Sequence, residues 1–181
     1  MSTGRATDRT HRRGPARAVA LAALVGAACA PGHRQPPATD TSLLRVAAAA
    51  RTDIYGRPLS LAPILAGRAV LYFFRTDCRH CAAGMAAASA LAGRPGAGSV
   101  SLVLVSREGP ARLRAAFGPS ARPALTVVSD SDGAIMGAAL PTLFVPRLVG
   151  VERLSVRLDV TGDGLGIADA VAVLARGEGR R

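Results

Sequence analysis

Apolar and polar positions fall in blocks along this chain, and the blocks differ in period. Ala69–Phe74 is an unbroken apolar run rich in aromatic and β-branched residues, as in a strand buried on both faces. Ser99–Val105 (SVSLVLV) and Leu125–Val128 (LTVV) predict two more strands. Leu59–Leu61, Thr142–Val145 and Arg153–Leu158 predict three shorter ones, with Gly150 and Val151 as turn residues near the junction of the last two. Between the strands the pattern changes. Cys78–Leu91, mostly alanine with Met85 and Leu91, predicts a helix closed by the breakers Gly93-Arg94-Pro95-Gly96. Pro110–Phe117 predicts a second helix, and Ser131–Ala139 a helix or turn after Asp130. Ile167–Leu174 carries Ile167, Val171 and Leu174 on one helical face. Earlier in the chain, Asp53–Pro58 is a turn in which Gly56 supplies the permissive φ. Ala62–Ala66 fits a single helical turn closed by Gly67, and Leu43–Ala50 fits either a strand or a short helix. The order is that of an α/β fold: a central mixed β-sheet flanked by helices, with parallel strands first and an antiparallel hairpin last.

The first 42 residues follow a different plan. Residues 1–17 hold five arginines and one acid, and Ala18–Ala28 is apolar but short for a membrane span. A basic segment, a short apolar segment and small residues at its end predict a secretory signal peptide over 1–28. Arg12-Arg13 is a weak match to a twin-arginine signal, since Gly14-Pro15-Ala16 follows it. Val25-Gly26-Ala27-Ala28-Cys29 resembles a bacterial lipobox, in which Cys29 becomes the lipidated first residue of the mature chain; cleavage after Ala28 or Ala30 is the rival. Residues 29–42 lack periodicity and read as a flexible tether, 43–177 as the folded domain and 178–181 as a disordered tail. The expectation is an exported protein, in the periplasm or on the outer face of the cytoplasmic membrane, touching that membrane through a lipid anchor only.

Charge changes this picture little. The net charge is +11, and all 23 basic residues are arginine. With alanine and glycine abundant, that is a compositional bias of the whole chain. The arginines are scattered and not interleaved with aromatics, so no nucleic-acid partner is expected.

The chemistry concentrates in Tyr72–Cys81, which reads Y-F-F-R-T-D-C-R-H-C. Two cysteines spaced C-x-x-C follow the strongest strand and open the alanine-rich helix. At a helix N-terminus the unpaired N–H groups and the dipole favour a thiolate. A second thiol one turn on lets such a site make and break disulfides. His80, Arg79 and Arg75 would favour the thiolate of Cys78, while Asp77 would oppose it. Other readings are weaker. The pair is also compatible with a purely structural disulfide in an exported domain. A metal site lacks ligands, because His33, the other histidine beyond residue 28, lies in the tether. A peroxidase of the peroxiredoxin type needs a threonine three residues before its cysteine, and Thr76 is two before. Asp130-Ser131-Asp132-Gly133 starts like a calcium loop but lacks the later ligands, so a turn is expected.

These residues resemble the thioredoxin-like superfamily, and within it the exported TlpA-like thiol–disulfide oxidoreductases. The matching parts are Gly56-Arg57-Pro58-Leu59-Ser60-Leu61, Gly67-Arg68, Leu71–Phe74, Cys78-Arg79-His80-Cys81 and Leu140-Pro141-Thr142-Leu143-Phe144-Val145. The resemblance implies a thioredoxin-like fold over about Asp53 to Leu174, with an extra strand and helix after the active-site helix. It implies Cys78 as nucleophile, Cys81 as resolving thiol, His80 as a modulator, and Pro141 as a cis-proline beside the sulfurs, with Pro146 the rival. It implies no cofactor, partners that are extracytoplasmic protein thiols or disulfides, and a membrane redox partner as an option. The chain departs from the family pattern at four places: Asp77 for a Trp, Tyr72 for a buried acid, Gly84 for a Glu and Ala86 for a Pro. The alternative function is a thioredoxin-fold lipoprotein acting as a binding module, its C-x-x-C purely structural or holding a metal.

Overall fold

The computed structural model describes residues 40–48, 50–92, 99–118, 125–139, 144–162 and 166–176. Among them a five-stranded sheet runs in the order β5-β4-β3-β6-β7. Its strands are β3 (Arg68–Phe73), β4 (Ser101–Ser106), β5 (Leu125–Ser129), β6 (Arg147–Glu152) and β7 (Ser155–Thr161). β3 pairs in parallel with β4, and β4 with β5, while β6 and β7 run antiparallel to their neighbours. The mixed sheet expected from the order of apolar blocks is therefore present. A small antiparallel pair, β1 (Ala50–Thr52) and β2 (Pro58–Ser60), precedes it.

Alternation along the strands divides the core in two. Ala69, Leu71, Phe73, Val103, Val105, Val149 and Val151 face one side, under α1 (Asp40–Ala48), α2 (Ala62–Ala66) and α5 (Ala134–Ala139). Val70, Tyr72, Phe74, Leu102, Leu104 and Leu148 face the other, under α3 (Ala82–Leu91), α4 (Pro110–Phe117) and α6 (Ile167–Ala175). Since both faces are covered, β3 reads as a continuous apolar run rather than an alternating one. On α6 the buried residues are Ile167, Ala170 and Leu174; Ile167 and Leu174 are on the face expected from helical spacing, while Val171 is only partly buried against the same cluster.

Two local expectations need correcting. The Leu43–Ala50 segment, which fits strand or helix in sequence, is helical to Ala48 and enters β1 at Ala50, and α1 begins at Asp40, inside the stretch expected as tether. The last hairpin is shifted along the chain. Phe144 and Val145 are not in a strand, and the pairing strand is Arg147–Glu152. Gly150 and Val151 lie within β6 at a register shift, and the turn is Arg153-Leu154, both left-handed at φ 51° and 62°. Gly150 is a close-approach glycine: a Cβ there would lie 3.0 Å from Leu158 Cβ and 3.3 Å from Leu174 Cδ1. Arg147 is fully buried and forms a two-pronged pair with Asp159, at 2.8 and 2.6 Å.

The loops behave as turn chemistry requires. Gly56 has φ +81°, and Asp53 Oδ1 accepts from the amides of Tyr55 and Arg57. Asp130–Gly133 is a turn ahead of α5. Gly133 N donates to Asp130 O, and the buried Asp130 carboxylate accepts from the amides of Ile135 and Met136 at 2.9 and 2.8 Å. Burial nonetheless pushes the Asp130 carboxyl above the usual range. No helix among the described residues is long and apolar enough to cross a membrane.

Candidate active site

β3 carries the chain to the middle of the sheet and releases it at Phe74, whose amide still bonds to Val105 O at 3.1 Å. The next residues cannot continue the pairing and form two tight turns. Cys78 N donates to Arg75 O and Cys81 N to Cys78 O, at 3.3 and 2.9 Å. Cys81 is the N-cap of α3, so the helix begins at Ala82, four residues later than the sequence pattern suggests. Cys78 and Cys81 are joined as a disulfide, with Cα atoms 5.2 Å apart. The two sulfur-bearing residues are not equivalent. Cys81 is 0% exposed, inside the apolar cluster of Tyr72, Phe74 and Leu148. Cys78 is only partly buried at its edge. An attacking thiol must be reached by a partner, whereas a resolving thiol need only reach its neighbour.

The charges expected to bear on Cys78 are already engaged with one another. Arg75 clamps Asp77 through Nε and Nη2, at 3.0 and 2.7 Å, and Arg112 lies 3.7 Å from the same carboxylate. The Arg75 hydrogen bonds, with the charges of Arg75 and Arg112, hold the Asp77 carboxyl below its ordinary range. Asp77 is thus a neutralised neighbour rather than a bare negative charge. Arg79 Nε donates to His80 Nε2 at 3.0 Å, and both side chains are exposed.

A carboxylate that the sequence did not flag fastens this loop. Glu108, just after β4, accepts from the amide and hydroxyl of Thr76 at 2.8 and 2.7 Å. Ser106 Oγ at 3.2 Å and Arg112 Nε at 2.8 Å complete its shell. Thr76 lies two residues before the nucleophile candidate, so Glu108 ties the cysteine loop to the neighbouring strand.

The comparisons with known proteins bear on the fold. No protein-family model matches the sequence, and no curated protein matches it. Solved structures do. One is a secreted Mycobacterium tuberculosis disulfide oxidoreductase homologous to E. coli DsbE, 19% identical, covering 72% of this chain and 98% of that one at TM-score 0.58. A second is M. tuberculosis DsbF in mixed oxidised and reduced forms, 18% identical, covering 74% and 97% at TM-score 0.60. A third is the pneumococcal exposed lipoprotein thioredoxin Etrx1 from Streptococcus pneumoniae, 15% identical, covering 71% and 98% at TM-score 0.55. The fold is thioredoxin-like.

Within this thioredoxin-like frame, two of the four departures from the family pattern turn out to be one. The Tyr72 ring lies over α3 where Gly84 leaves room, and a Cβ on Gly84 would fall within contact distance of the Tyr72 hydroxyl and ring. That hydroxyl donates to Cys81 O at 3.3 Å. Tyr72 thereby packs against the start of α3 beside Cys81. It also forms, with His80, Gly84, Pro146, Leu148 and Ile167, part of a cavity of about 310 Å³ beside the disulfide.

Of the residues singled out in the sequence, the structure brings Cys78, Cys81 and His80 together. Pro141 and Cys29 lie outside the described residues. Among the described residues the cis peptide is Val145–Pro146. Pro146 immediately precedes β6, whose first residue, Arg147, pairs with Phe73 at the end of β3. Pro146 and His80 line the same cavity. Proline without an N–H suits the residue before a strand, but the apolar pattern of Thr142–Val145 places that strand too early. No group of three or more His, Cys, Asp or Glu residues that would hold a metal occurs among the described residues.

Proposed function

We propose that this chain is a thiol–disulfide oxidoreductase acting on exported proteins, with Cys78 as nucleophile and Cys81 as resolving thiol. One observation carries the reading: a C-x-x-C disulfide whose first cysteine is accessible and whose second is sealed at a helix N-cap. In the reducing direction the Cys78 thiolate attacks one sulfur of a partner disulfide. The partner S–S bond breaks, a mixed disulfide forms, and the other partner sulfur leaves as thiolate. Cys81, deprotonated, then attacks Cys78 Sγ and releases the first partner sulfur. Two electrons pass to the partner, and the Cys78–Cys81 disulfide is restored. The oxidising direction runs the same steps backwards. His80 borders the exchanging sulfurs. Pro146, which lines the same cavity as His80, suits the place of the cis-proline; Pro141, five residues earlier in the chain, is the competing candidate.

The N-terminal pattern supports export through a signal peptide over 1–28, lipidation at Cys29 and a tether to the domain, with partners drawn from extracytoplasmic thiols and a membrane redox protein. The tests are direct. Thiol alkylation across a redox series, combined with insulin reduction, is expected to give a reversible two-electron couple lost in Cys78→Ser. Cys81→Ser is expected to trap a mixed disulfide. A Cys78→Ser protein as active as wild type would instead favour the binding-module reading. Mass spectrometry of the mature protein from its own host is expected to find a diacylglyceryl group at residue 29; an unmodified N-terminus would remove the anchor.

A further inference from the structure

A second cleft of about 390 Å³ is lined by Phe74, Arg75, Arg107, Glu108, Arg112, Met136 and Val145, and reaches the cysteine loop at Arg75, whose carbonyl accepts from Cys78 N. Its arginines are unequal. Arg75 is held by Asp77, and Arg112 by Glu108 and Asp77. Arg107 is exposed and pairs with no carboxylate among the described residues. Its guanidinium lies along Gly133, where a Cβ would come within 3.3 Å of it. Three arginines against Asp77 and Glu108 leave the cleft one positive charge in excess, and Phe74, Met136 and Val145 give it an apolar floor. Val145 lines this cleft and its chain neighbour Pro146 lines the Tyr72 cavity, so the two hollows adjoin at this dipeptide.

We propose that this cleft selects partner segments carrying an acidic side chain a few residues from their reactive cysteine, with Arg107 as the residue that reads the carboxylate. The proposal rests on the exchange reading above. A glutamate fits the cleft on both counts, its methylenes against Val145 and Met136 and its carboxylate toward the one guanidinium that lacks a counter-charge. A lysine at the same place meets only excess positive charge. Complementarity of this kind acts chiefly on encounter rate and is sensitive to salt.

The experiment uses the full chain, reduced beforehand and freed of reductant, mixed with disulfide-bonded peptides that differ only in a Glu, Gln or Lys flanking the cysteine on either side. Second-order rates are read at low and high salt. The expected order is Glu, then Gln, then Lys, with a Glu-to-Lys ratio of about tenfold at low salt that shrinks at high salt. Arg107→Gln is expected to cut that ratio to about threefold or less. Arg157→Gln, the same charge change on edge strand β7, should keep the wild-type ratio. Equal rates for the three peptides, or an Arg107→Gln ratio equal to wild type, would overturn the acidic preference while leaving exchange itself intact. If no peptide reacts and Cys81→Ser traps none, both readings fall.

Discussion

Glu108 gives the sharpest test of how the cysteine loop is held. Its side chain is 12% exposed and accepts three hydrogen bonds, two from Thr76 and one from Ser106, and Arg112, whose Nε donates to Thr76 Oγ1, forms an ion pair with it. Glu108→Gln keeps the shape but replaces one acceptor oxygen with an NH₂ group. If the amide oxygen faces the Thr76 N–H, the NH₂ faces Arg112 Nε; if it is flipped, the NH₂ faces Thr76 N–H. One donor then meets a donor in either orientation. A hydrogen bond to a charged group contributes about 1.5–3 kcal/mol, and a buried donor left unmet costs a similar amount. The Arg112 pair adds little, because Arg112 is 56% exposed. The expected loss is about 2 kcal/mol, or roughly 6–8 °C in Tm for a domain of this size. Thermal unfolding of the oxidised protein measures it. Amide exchange at Thr76 separates local from global loss, and should accelerate in the variant by more than the change in global stability explains. A Tm within about 1 °C of wild type, with Thr76 exchange unchanged, would refute the argument that this carboxylate fastens the loop.

Two further outcomes follow from charges elsewhere in the fold. Burial raises the Asp53 carboxyl, but hydrogen bonds from the amides of Arg57 and Tyr55 and from the Arg57 guanidinium bring it below 3.8, so its stabilisation is present above that pH and lost as pH falls through the folded value. Urea denaturation should therefore find Asp53→Asn less stable than wild type at pH 7, with the gap closing in acid; a gap that widens would reverse the sign. The buried Arg147–Asp159 pair leaves Arg147 Nη1 without a partner among the described residues. Asp159→Ala should cost about 3–5 kcal/mol by stranding the guanidinium, whereas Arg147→Met with Asp159→Leu should be neutral or stabilising, by about 1–4 kcal/mol.

What the sequence disclosed and what it hid divide by range. β3, the C-x-x-C and α3 are legible because each rests on neighbours a few positions away: an apolar run, a fixed spacing, a stretch of alanine. β6 was misread because its two odd residues have distant causes. Arg147 looks like a surface charge until Asp159, twelve residues on, neutralises it. Gly150 looks like a turn until Leu158 and Leu174 crowd it. The true turn, Arg153-Leu154, has no turn composition. It is held by the amides of Arg153 and Leu154 donating to Gly67 O and Leu65 O, both at 2.8 Å. The Thr76–Glu108 tie spans 32 residues and leaves no local trace. Sequence reasoning therefore located the sulfurs and missed what holds them.

The pairing of Tyr72 with Gly84 shows how such a distant cause can be measured. Read singly, each is a departure from the family pattern; in the structure each is the condition for the other. A Gly→Ala change inside a helix is favourable by about 0.5–1 kcal/mol on backbone grounds. At position 84 the new methyl would drive into the Tyr72 ring, which is 5% exposed and stacked 6.2 Å from Phe74, so neither ring can retreat. Overpacking of that kind costs about 1–3 kcal/mol, and Gly84→Ala should destabilise the natural protein. In a Tyr72→Val background the space is open, and the same change should be neutral or stabilising. The cycle of four proteins, followed by urea denaturation, should therefore give a coupling of about 2 kcal/mol, far beyond the ~0.5 kcal/mol within which independent sites add. An equal effect of Gly84→Ala in both backgrounds would mean that α3 can shift freely away from β3. In that case Cys81, capped at the head of that helix with its carbonyl bonded to Tyr72, would not be held where the resolving step needs it.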